Sequence, residues 1–88
     1  MTILKFNMQK ILILADDPIR TKLEEKLRRR FDVESVAPPL NGICEIKIRL
    51  RGNWITLCRF SSNENFRDII TMFNVNYDLK SRTTKSMS

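Results

Sequence analysis

The feature that most restricts what this chain can fold into is the stretch from Glu45 to Phe60, EIKIRLRGNWITLCRF. Aliphatic and charged residues alternate on either side of Gly52-Asn53, and a period of two marks a strand with one buried face. Gly52 can take the positive φ that opens a type II′ turn, so a hairpin is expected around Gly52-Asn53. That turn sets a register in which Arg51 faces Trp54, Arg49 faces Thr56, Lys47 faces Cys58 and Glu45 faces Phe60. Two faces then separate. Ile46, Ile48, Leu50, Ile55 and Leu57 make a core face with Arg59 at its margin. Glu45, Lys47, Arg49, Arg51, Trp54, Thr56, Cys58 and Phe60 make the other.

The remaining elements follow from periodicity and punctuation. Thr2 to Met8 alternates as a short strand, and the aliphatic run Ile11 to Ala15 reads as a strand buried on both faces, the two being separate or one long bent strand. Asp17-Pro18 is a helix start, with Asp17 as cap and Pro18 in the first position. Ile19, Leu23, Leu27 and Phe31 form its apolar stripe. Glu24 with Arg28 and Glu25 with Arg29 are spaced as i,i+4 ion pairs, and Arg28, Arg29 and Arg30 complement the dipole of the last turn. DVESV, Asp32 to Val36, reads as a short strand ended by Pro38-Pro39, with a turn at Asn41-Gly42. Ser61-Ser62-Asn63-Glu64 reads as a capping box before a second helix. Its stripe is Phe66, Ile69, Ile70 and Phe73, and it is expected to fade near Asn74 to Asn76.

Eighty-eight residues allow one domain with a modest core. The expectation is an α+β fold of order β-α-(β)-β-β-α. A mixed or antiparallel sheet of three to five strands would carry both helices on one face. Residues 1–78 would form the domain and 79–88 a flexible basic tail.

The chain carries 16 Lys and Arg against 10 Asp and Glu, a net charge of +6. That excess suits anionic partners. On the hairpin's polar face, Lys47, Arg49 and Arg51 recur at every second residue beside Trp54 and Phe60. Cations at that spacing can follow a phosphate backbone, and aromatic rings can stack on bases. Arg28, Arg29 and Arg30 are a second basic cluster and candidate binding residues for the same partner, although helix chemistry also accounts for them. The expected role is a non-enzymatic, nucleic-acid-binding accessory protein, single strands favoured. The alternative is a regulatory or inhibitory module that docks an acidic protein or its own copy through the same face, and a homodimer would cover Trp54 and Phe60.

Other chemistry is poorly provided for. There is no histidine, so imidazole-dependent triads are excluded. The two cysteines, Cys44 and Cys58, form no CxxC pair and no secreted disulfide framework, and reduced thiols are expected. With two glycines, Gly42 and Gly52, there is no phosphate-binding glycine loop. No cofactor or metal is expected. Lys5 and Lys10 interrupt the apolar N-terminal residues, arguing against a signal peptide, and no run is long enough to span a membrane. An intracellular location, cytoplasmic or nuclear, is the expectation. KILILADDP, Lys10 to Pro18, resembles the opening strand and acidic pair of response-regulator receiver domains. That resemblance would imply Mg²⁺ at Asp16 and Asp17. It covers about 25 residues, and the chain departs from the family where a phospho-accepting Asp should end a later strand: after Asp32 only Asp68 and Asp78 remain.

Overall fold

A computed structural model describes residues 8–86, with the side chains of 8–81. The strand read at Thr2 to Met8 lies almost wholly outside the described residues. From Lys10 the order is β1 (Lys10–Leu14), α1 (Ile19–Leu27), β2 (Asp32–Val36), β3 (Cys44–Leu50), β4 (Asn53–Phe60) and α2 (Phe66–Ser86). This is the expected α+β order. The four strands form one mixed sheet in the sequence β2-β1-β3-β4. β1 pairs parallel with β2 across α1, and antiparallel with β3. It is not the parallel, doubly wound sheet that the receiver resemblance implies.

Both helices lie on one face of the sheet. Ile11 and Ile13 of β1, Cys44, Ile46 and Ile48 of β3, and Leu57, Cys58 and Phe60 of β4 are buried in one cluster with Ile19, Leu23 and Leu27 of α1 and Ile69 and Phe73 of α2. β1 is not equally buried on its two sides. Leu12 and Leu14 point to the other face and remain half-buried, because neither of the described helices covers them.

The hairpin forms, but its turn is Arg51-Gly52 rather than Gly52-Asn53: Leu50 pairs with Asn53 and Arg49 with Trp54. Both turn residues have positive φ, +53° at Arg51 and +81° at Gly52, the signature of a type I′ turn, whose twist suits a two-residue hairpin. The pairing moves by two residues, so each side chain near the turn keeps its expected face. Further along, Lys47 pairs with Thr56 and Ile46 with Cys58, leaving Leu57 as an extra residue in β4. This β-bulge inverts the alternation beyond it. Cys58 and Phe60 turn into the core and Arg59 turns out.

The helix termini differ in detail from the sequence reading. Pro18 occupies the N-cap of α1, and no side chain caps the helix. Asp17 instead accepts from Thr21 Oγ1 at 2.6 Å and pairs with Arg20 at 3.4 Å. The Thr21 hydroxyl holds the Asp17 carboxyl below the ordinary carboxylate range. α2 begins beyond the expected capping box. Asn65 Oδ1 accepts from the N–H groups of Arg67 and Asp68 at 2.8 and 3.4 Å, so Asn65 is the cap. Ser61 and Glu64 close a turn instead.

α2 does not fade at Asn74 to Asn76 but runs on to Ser86. Two contacts hold it there. Asn76 Nδ2 donates to the carbonyl oxygen of Leu57 at 2.6 Å, the residue that the bulge leaves without a ladder partner. Tyr77 stacks on Phe73 at 6.0 Å and meets Phe31 edge-on at 5.3 Å, while Phe31 also meets Phe73 edge-on at 5.8 Å. Ring pairs of this geometry stabilise beyond their buried area.

Candidate nucleic-acid interface

The open sheet face gathers residues from all four strands. Its rows follow from the registers. Lys10 of β1 and Arg49 of β3 flank the Ile11–Ile48 pair, with Asp32 beside Lys10 and Trp54 beside Arg49. The next row is Glu34, Leu12, Lys47 and Thr56, and the third is Val36, Leu14, Glu45 and Arg59.

Within this face the expected residues separate. Arg49 lies over the Trp54 ring, Cζ 5.5 Å from its centroid, and Trp54 is 38% exposed. The guanidinium and indole therefore form one cationic, aromatic surface next to the turn that carries Arg51. Neither Arg49 nor Arg51 has a carboxylate partner among the described residues. Lys47 is different: its ammonium lies 3.9 Å from Glu45, whose other oxygen meets Arg59 at 3.6 Å. Thr56 also donates to Glu45 at 3.2 Å. The cationic character of the second and third rows is thus offset at Glu45, and Lys10 is similarly paired with Asp32 at 3.4 Å.

Phe60 is not on this face. It is 4% exposed and packed in the core, because the bulge at Leu57 changed the parity of β4. An extra residue inside a strand leaves no signature in hydrophobic alternation when the residues around it are themselves apolar, as Leu57 and Cys58 are.

Arg28, Arg29 and Arg30 also lie elsewhere. α1 ends at Leu27, so the three arginines occupy the turn leading to β2. Neither the Glu24–Arg28 nor the Glu25–Arg29 ion pair forms; Glu24 accepts from Ser35 Oγ instead. Arg30 lies over Phe31 and Tyr77 and donates to Asn74 Oδ1 at 3.5 Å. Arg29 and Arg30 line a groove on the helix side with Lys22, Glu25, Lys26 and Phe66. The sequence reading missed Lys22 and Lys26. Their signal was the spacing i, i+4, i+7 of Lys22, Lys26 and Arg29, one helical face.

Both cysteines are free and buried. Burial pushes the Cys58 thiol up to about 12, and raises that of Cys44 as well, which is the opposite of what an attacking thiolate needs. No group of three His, Cys, Asp or Glu among the described residues is placed to hold a metal ion. No helix among them is long and apolar enough to cross a membrane. The chain matches no family model, no curated protein and no solved structure.

Proposed function

We propose that the protein is a non-enzymatic accessory protein that binds nucleic acid, single strands in preference to duplexes, at the hairpin's open face. The observation that carries this reading is the Arg49–Trp54 stack beside Arg51, an exposed ring and two uncompensated cations at one end of the sheet. Trp54 would stack on a base while Arg49 and Arg51 hold the flanking phosphates, with Lys10 and Lys47 contributing once their acidic partners yield. Phe60 has no part in it. A left-handed conformation at a non-glycine residue costs energy and tends to persist where function requires the side chain, and Arg51 is such a residue. The protein would act inside the cell.

The test is fluorescence anisotropy with labelled single- and double-stranded DNA and RNA. Arg49→Ala and Arg51→Ala should each weaken binding across sequences and lower the salt slope by about 1. Trp54→Ala should cost about 1–3 kcal/mol on single strands and less on duplexes. Absence of binding to every oligonucleotide at low salt would sink the proposal.

A second reading has its own observation. Leu12, Leu14 and Val36 lie on the same face, with Asp32 and Glu34 along the β2 edge and Lys47, Arg49 and Arg59 towards β4. An acidic edge and a basic edge around an apolar centre suit a second copy of the chain, or an acidic protein at the basic side. Sedimentation discriminates: a dimer that Leu12→Glu converts to a monomer supports this reading, and a wild-type monomer at high concentration removes the homodimer.

A further inference from the structure

We infer that the groove between α1 and the start of α2 is a separate site that binds a free mononucleotide by its phosphates and its base. The groove has a volume of about 570 Å³ and is lined by Lys22, Glu25, Lys26, Arg29, Arg30 and Phe66. That volume falls within the range of small-ligand clefts. It lies on the helix side, away from the open sheet face, and so does not rest on the hairpin reading.

Three features fit a nucleotide, and the second and third favour it over a bare anion. First, none of the four lining cations is in an ion pair among the described residues. Arg30 is already fixed over Phe31 and Tyr77, at 5.0 and 5.7 Å from the ring centroids, so little freedom is lost when it holds a phosphate. Second, Phe66 is half-buried against the core and its ring is approached by Lys22 Nζ at 6.0 Å. A base can take that position over the ring while Lys22 swings to the phosphates. Third, Glu25 is a carboxylate among cations. It repels inorganic phosphate but accepts a hydrogen bond from a sugar hydroxyl, the use to which dinucleotide sites put an acidic side chain.

Calorimetric titration of the full chain at low salt, with ATP and with pyrophosphate, tests the assignment. ATP is expected to bind with a dissociation constant below about 1 mM. The Lys26→Ala/Arg29→Ala double variant, in which both changed side chains are exposed, should weaken ATP and pyrophosphate by at least about tenfold. Phe66→Leu, which keeps the apolar contact, should weaken ATP about fivefold or more and leave pyrophosphate unchanged. Arg49→Ala and Trp54→Ala should leave both ligands unaffected. The inference is overturned if ATP gives no binding at several times that concentration, or if Phe66→Leu affects the two ligands equally. It is also overturned if Arg49→Ala costs as much as the double variant. Displacement of ATP from the groove by an unphosphorylated single-stranded oligomer at lower concentration would assign the groove to a nucleic-acid backbone, and so would overturn it as well.

Discussion

Arg51 holds a backbone φ of +53° in the first position of its turn, where asparagine or glycine is the ordinary choice. For a side chain with a Cβ, that conformation costs about 1 kcal/mol or somewhat more. Arg51→Asn should therefore raise stability by about 0.5–1 kcal/mol while weakening oligonucleotide binding, with urea denaturation and anisotropy as paired readouts. Opposite signs are the informative outcome, since a purely structural residue would give no loss of binding. The preference of Gly52 for positive φ was legible in the sequence. Whether it took the first or second turn position was not, because Asn53 is itself a common turn residue. At Cys58, the folded pKa of about 12 stands above the ordinary 9.0 because burial penalises the thiolate. The stability linked to this group is intact below about pH 9 and is lost as the pH rises towards 12. Urea midpoints should therefore fall between pH 8 and pH 10, and Cys58→Ala should flatten that slope. In the native state at pH 8, alkylation of this thiol should be far slower than in denaturant.

Elements were read best where their periodicity was long and least well at their ends. Ile19, Leu23, Leu27 and Phe31 are all buried as expected, although α1 ends at Leu27 and Phe31 lies just beyond the turn that follows it. The end of α2 was misread because Asn74, Val75 and Asn76 are weak helix formers. What outweighs propensity there is tertiary: the amide of Asn76 satisfies the Leu57 carbonyl, and neither residue announces the other across 19 positions. Asn76→Ala should cost about 0.5–1.5 kcal/mol, more if the carbonyl is left dry. Chemical denaturation gives the loss, and amide exchange in β4 around the bulge should accelerate with it. The expected ion pairs along α1 illustrate the converse. Their spacing was correct, yet Glu24 serves Ser35 in the neighbouring strand, and exposed pairs of that kind are worth only a few tenths of a kcal/mol.

For the whole molecule, the element order and the choice of which sheet face to cover were readable because the hairpin strands alternate near their turn and each helix has one stripe. The layout of charge on the open face was not readable. It depends on which strands are neighbours, and nothing local to Asp32 places it beside Lys10, or Lys10 beside β3. The domain is small, and Phe73 joins α2 to Phe31 at the mouth of β2 while lying fully buried. Phe73→Ala should cost about 3–5 kcal/mol, comparable to the whole stability of many domains of this size. The variant is expected to be largely unfolded at 37 °C, with loss of helical circular dichroism as the measurement. Phe73→Leu should retain the fold with a lowered melting temperature.

The bulge at Leu57 also determines how the gene can change length. Within the sheet, removing one codon from a strand normally exchanges its inner and outer residues, because the side-chain repeat is two. In β4 the bulge is an exception. Deleting Leu57 would leave Thr56 opposite Lys47 and Cys58 opposite Ile46, the partners they already have, with Arg59 still outside and Phe60 still in the core. The cost would be one apolar side chain and the Asn76 hydrogen bond rather than the whole strand. Single-residue deletions scanned along Asn53–Phe60 should therefore be tolerated at Leu57 or Cys58, since removing Cys58 lets Leu57 take its place opposite Ile46, and lethal to folding at Trp54 and Ile55, where the residues up to the bulge change face.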